Sequence, residues 1–169
     1  MPLIIFVIAL LALFAIELME PVQIWVIQPF TAAIAKVSAV VSQTFDSTVH
    51  AQGIVLSNIE TGAAVSIQPG CNGVEAMIVL LAAILATPAG WKHKLIGIGL
   101  GFLAIQIVNV IRIVSLFYLL QWNPVWFEWA HLYLWQALIM LDGLIVYLLW
   151  VRMLPMTGDD PSSMAGDSP

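Results

Sequence analysis

Charge is what this chain has least of. Only 9% of its 169 residues are charged and 62% are hydrophobic, with a mean hydropathy of +1.01. A soluble domain carries about 25% charged residues, so this one lacks the polar surface to coat itself in water, and a water-soluble enzyme is excluded. Five Lys+Arg against ten Asp+Glu leave a net charge of −5, which cannot neutralise a phosphate backbone, and nucleic acid is excluded as a partner. The apolar excess rules out intrinsic disorder. With one cysteine, no intramolecular disulfide can form. The sequence also has no G-x-S-x-G elbow, no H-E-x-x-H zinc motif and no C-x-x-C-H haem site, and neither a metal nor another cofactor is expected.

What is present is a set of long apolar runs, each near the ~20 residues that a bilayer span needs. Four stretches are expected to cross: about 2–18, 72–88, 95–121 and 130–151. The first has no charge before Glu17, no basic leader and no small-residue cleavage site, and reads as a retained anchor. The expected fold is therefore an all-α integral membrane protein of about four helices. Residues 1–152 form its single membrane-embedded domain, and the acidic stretch 153–169 is a disordered cytoplasmic tail.

Placement of the few cations orients the chain. Lys92, His93 and Lys94 lie between the second and third spans, and Arg152 ends the fourth. Both belong inside, which puts both termini in the cytoplasm and segment 20–70 outside, with Lys36 as its one fixed positive charge. The expected location is the inner (plasma) membrane, with the functional face on the outer, periplasmic side. Within 20–70, Phe30, Ile34, Val37, Val41 and Phe45 recur at helical spacing and predict an amphipathic helix on the membrane or capping the bundle. Ile54–Ser57 and Ala63–Gln68, around the turn-forming Asn58–Gly62, predict a small β-hairpin.

Three residues on three spans meet at the outer face. Cys71 starts the second span, where a helix N-terminus favours a thiolate. Arg112 lies inside the third, roughly 13 Å below its outer end at about 1.5 Å per residue. His131 opens the fourth. Taken singly, each has a plain reading: a small half-buried apolar residue, a structural ion pair of Arg112 with Glu75 one turn below Cys71, and an interfacial histidine among Trp122, Trp126, Trp129 and Tyr133. Taken together they make a nucleophile, an oxyanion donor and a general acid–base. An intramembrane arginine costs at least about 2.5 kcal/mol, which favours a functional role. Asn109, one turn from Arg112, is placed to fix its guanidinium. Asp142, eleven residues after His131 on the same stripe, needs a donor such as Asn109 or Gln106.

Pro69-Gly70-Cys71-Asn72-Gly73, Asn109-Val110-Ile111-Arg112 and Ala130-His131 resemble, in order and spacing, the three motif regions of the exosortase/archaeosortase family, and most of all its compact exosortase H-like members. Asn72 stands where serine is common. The resemblance implies a Cys–Arg–His transpeptidase that cleaves exported proteins bearing a C-terminal motif, a transmembrane helix and a basic tail. It would pass them through a thioester to a surface or lipid amine. Its partners would be those substrates and membrane lipid. The competing reading is a non-catalytic membrane scaffold or assembly factor. A transporter is disfavoured because the cytoplasmic half offers no polar path.

Overall fold

The computed structural model describes residues 1–154. The expected disordered tail, 153–169, lies outside the described residues from 155 onward. The elements are α1 (Pro2–Glu17), α2 (Glu20–Gln43), the strands β1 (Val49–Gln52), β2 (Val55–Asn58) and β3 (Ala64–Ser66), then α3 (Val74–Ala86), α4 (Trp91–Trp122) and α5 (Pro124–Arg152). The protein is mostly helical, as a membrane protein of this composition should be.

The helices differ in detail from the expected spans. Three are long and apolar enough to cross a membrane by length and composition: α2 with 24 residues, α4 with 32 and α5 with 29. Helices α1 and α3, which coincide with the first two expected spans, are shorter apolar helices. Pro69, Gly70 and Gly73 delay the start of α3 to Val74, and Pro88 stops it at Ala86. The expected amphipathic helix begins ten residues earlier than its apolar stripe, at Glu20.

Two helices contain a wide turn, and one has an evident cause. Pro29 of α2 has no N–H to give the Trp25 carbonyl, and its ring would press on that carbonyl. The turn over Gln23–Ile27 widens just there, with the Gln28 N–H reaching back to Gln23 O. In α5 the wide turn covers Ala130–Leu134. The same helix is capped by Asn123, whose side chain accepts from the Val125 and Trp126 N–H groups, with Pro124 in the first turn.

Close packing where the start of α4 meets the end of α5 depends on two glycines. The Trp150 indole of α5 fills the place of a side chain at Gly97 of α4, and Leu80 of α3 does so at Gly101. Trp150 Nε1 donates to His93 O at 2.8 Å. Leu80, Ile84, Ile105 and Trp150 form the buried cluster there.

A second buried cluster joins Ile34, Ala35 and Ala39 of α2, Val49, Leu56 and Ile67 of the sheet region, and Ile113 and Phe117 of α4. Phe30 meets Phe102 at 6.0 Å between ring centroids, and Phe45 meets Tyr118 at 5.4 Å. Contacts fifteen residues apart in α2 and the turn just after it, and sixteen apart on α4, mean that α2 runs parallel to α4 from Phe102 onward.

The expected hairpin is a three-stranded antiparallel sheet in the order β1-β2-β3. Val49 pairs with Asn58 and Gln52 with Val55 across Gly53, whose φ of 57° suits glycine. The added strand, Val-His-Ala-Gln, has too few strong β-formers to stand out in sequence.

Candidate active site

Cys71 sits in the loop that links the sheet to α3, and each neighbour has a task. Its own N–H closes a turn onto Gln68 O at 2.9 Å. The buried Asn72 side chain accepts from Val74 N–H at 3.1 Å, capping α3, and donates to Thr31 Oγ1 at 3.1 Å. Thr31 donates in turn to Ile27 O. Asn72 thus ties the cysteine loop to both α2 and α3. Gly73 holds φ at 79°, and a Cβ there would lie 2.8 Å from Gln106 Nε2. Any side chain would strain the backbone and displace α4 side chains beneath it.

Arg112 is 2% exposed and turns its fork toward this loop. Nη1 donates to Gly70 O at 3.1 Å and Nη2 to Cys71 Sγ at 3.5 Å. Glu75 accepts from the Gly70 N–H. In place of the ion pair that a purely structural reading of Arg112 would give, the two charged groups hold the N–H and the carbonyl of one glycine.

His131 lies in the wide turn of α5, half-buried and stacked on Phe127 with centroids 5.7 Å apart and ring planes 5° from parallel. Its Nδ1 is buried and has no hydrogen-bond partner among the described residues. Cys71, Arg112 and His131 line one cavity of about 300 Å³, whose other walls are the β3 segment from Ala64 to Gln68, Leu116 and Leu120 of α4, and Phe127. The structure therefore brings together three residues that stand sixty positions apart at the extremes.

A second cavity, of about 430 Å³, lies on the other side of Gly70. Phe6 and Phe14 of α1, Ala76 and Val79 of α3, and Ile139 and Gly143 of α5 give it an apolar lining, with Glu75 at its wall.

Burial pushes the Cys71 thiol above its ordinary value. The Arg112 guanidinium pulls it down, and Glu75 pushes it up again. The thiolate expected from a helix N-terminus is thus not favoured at rest, because the sulfur precedes the helix and is largely enclosed. A neutral thiol needs a base to become a nucleophile.

The outer partners differ from expectation. Asn109 is fully buried, but its amide bonds nothing among the described residues and lies beside Gly73 rather than on the guanidinium. Asp142 Oδ2 is likewise buried and unpartnered, as are both polar atoms of Gln106.

Sequence reasoning passed over Thr31 and the Gly70 carbonyl. Thr31 carries no signal, since its partner Asn72 is forty-one residues away. Gly70 could have been found from Pro-Gly before a lone cysteine. Glu17, at the end of α1, is also buried and was read only as the end of an apolar run.

Comparison with curated proteins and with solved structures finds no match. The match that does emerge covers residues 2–154, almost all of the chain and all three motif regions, and is to the family described as "Transmembrane exosortase (Exosortase_EpsH)". With its apolar helices enclosing a loop cysteine, this chain belongs to the transmembrane exosortase family.

Proposed function

We propose that the protein is a membrane-embedded cysteine transpeptidase that cleaves C-terminal sorting signals at the outer face of the membrane. The observation that carries this reading is the Arg112 fork, which meets Gly70 O and Cys71 Sγ inside a cavity shared with His131. In this reading His131 takes the thiol proton, and the sulfur attacks the scissile carbonyl. The carbonyl oxygen becomes an oxyanion beside the Arg112 N–H groups. Collapse of that intermediate expels the amine, which receives its proton from His131, and leaves a thioester on Cys71. A surface or lipid amine then attacks the thioester by the same steps in reverse. A scaffold has no use for an arginine aimed at the one thiol.

The apolar cavity between α1, α3 and α5 gives the substrate's transmembrane helix a place beside the nucleophile. We place α1, α3, α4 and α5 across the membrane, with α2 at its outer side. Because α2 runs parallel to α4 from Phe102 onward and packs with the sheet, it continues outward rather than back through the bilayer. Lys92, Lys94 and Arg152 then lie inside.

Two experiments test this. Substrates should be proteins of the same genome that share a C-terminal motif, span and basic tail. Mixing one of them with the protein should trap the shortened chain on Cys71 as an adduct released by hydroxylamine, and its absence would leave the scaffold reading. A membrane-impermeant thiol reagent should label Cys71 in cells stripped of their outer barrier. Labelling only after the inner membrane is opened would reverse the orientation.

A further inference from the structure

The sheet ends on β3, and β3 borders the cavity that holds Cys71, Arg112 and His131. Its pairing shows which backbone groups are in use. Ile67 N–H donates to Ile54 O and Asn58 N–H to Ala63 O, both at 2.9 Å, in a register that sets Leu56 opposite Val65. Alternation along an antiparallel ladder then turns the N–H and C=O groups of 63, 65 and 67 toward β2. Those of Ala64 and Ser66 face the other way. Among the described residues they have no partner, and both residues are exposed. A strand edge with unpaired groups is a template for another strand.

We infer that the free edge of β3 binds the substrate segment preceding the scissile bond as an added, extended strand. The inference rests on the transpeptidase reading and specifies how that site holds its substrate. The side of the cut follows from the fold. Thr61, just before β3, donates from its hydroxyl to Gln121 Oε1, so the sheet sits outward of Arg112 by as much as about 13 Å along α4. A substrate whose helix lies in the membrane can reach that level only with the residues on the exported side of the cut. The occupant is a single extended chain, because Leu116, Leu120 and Phe127 wall the cavity opposite β3, and neighbouring strands need only about 4.8 Å. Main-chain pairing would supply affinity, with specificity from alternate side chains.

The test uses the full chain in membranes. Ser66→Pro, and separately Ala64→Pro, removes one free-edge N–H and leaves the β2–β3 ladder intact, as an edge strand tolerates. Each should raise KM roughly 10-fold, the size of one hydrogen bond at the upper end of its usual net contribution, with kcat nearly unchanged. Alkylation of Cys71 by N-ethylmaleimide at the parent's rate shows that the site is intact. Parental KM in both variants with normal alkylation would overturn the added strand. So would cross-linked dimers of the chain that vanish on Ser66→Pro while KM stays put, since the edge would then serve a second copy.

Should both proline variants misfold, the unaltered protein still decides. Substrate analogues N-methylated at single backbone amides upstream of the cut should lose affinity at every second position, and a uniform response would reject the strand. Cys71→Ala in the same assay separates the two ideas. Processing by Cys71→Ala would overturn the transpeptidase itself, whereas loss there with parental KM in the proline variants would remove only the strand.

Discussion

Cys71→Ala and Cys71→Ser are each expected to abolish processing, with full-length substrate accumulating and the protein itself still present in the membrane. The thiol is half-buried and packs at the margin of the cluster that joins α2, the sheet and α4, so removing its sulfur costs little of the fold. Its hydrogen bond from Arg112 is long at 3.5 Å, and Arg112 keeps Gly70 O as a second acceptor. The chemistry has no such reserve. Alanine offers no nucleophile. Serine offers one that is far weaker than a thiolate unless a strong base has been arranged for it, and among the described residues the one base lining this cavity is His131. The loss should exceed about 10³-fold in either variant, as for other nucleophiles removed from a covalent mechanism. Immunoblots of substrate length at matched enzyme abundance measure it. Normal processing by Cys71→Ala would end the enzyme reading.

Arg112→Lys should reduce substrate cleavage by about 10²–10³, the cost of losing an oxyanion donor, or about 2.7–4 kcal/mol. The planar fork is what matters, since one guanidinium reaches a carbonyl oxygen and a sulfur at once. An ammonium is a point donor on a more flexible stem and cannot span both. Because Glu75 is engaged with the Gly70 N–H, a lysine at 112 gains no direct partner from it, and it keeps charge without geometry. Arg112→Ala is less informative, since it would also release Gly70 and disturb the loop. Near-normal turnover in Arg112→Lys, at matched membrane abundance, would make Arg112 a fastener for the loop rather than a participant in the reaction.

How much of this was legible in sequence depends on how local the determining interaction is. Membrane character and family follow from apolar runs and from three short motifs, which survive any error in helix boundaries. The helix starting at Glu20 was found only from Phe30 onward, because its first turns hold Pro21 and Pro29 and its stripe is broken by the wide turn between them. The donor expected for Asp142 does not appear either: its Oδ2 is buried without a hydrogen-bond partner among the described residues. The Arg112–Glu75 pair is the plain structural alternative to a catalytic arginine. It fails because a backbone glycine, invisible to any charge count, intervenes with both a donor and an acceptor. Asn72 shows the converse: a departure from the common residue proves to be anchored, through Thr31, to a helix more than forty residues upstream.

Helices α4 and α5 are joined at one end by the single residue Asn123 and locked at the other by Trp150 in the notch of Gly97. The cavity beside Arg112 and His131 lies between these two ties. A slot pinned at both ends cannot widen like a hinge, and nothing can thread it lengthwise past the Asn123 corner. Entry is therefore broadside, as at the flank where β3 stands. If the protein is the transpeptidase proposed above, that geometry would favour a substrate already lying in the plane of the bilayer over one arriving by three-dimensional diffusion, and would turn the search for it into a two-dimensional one.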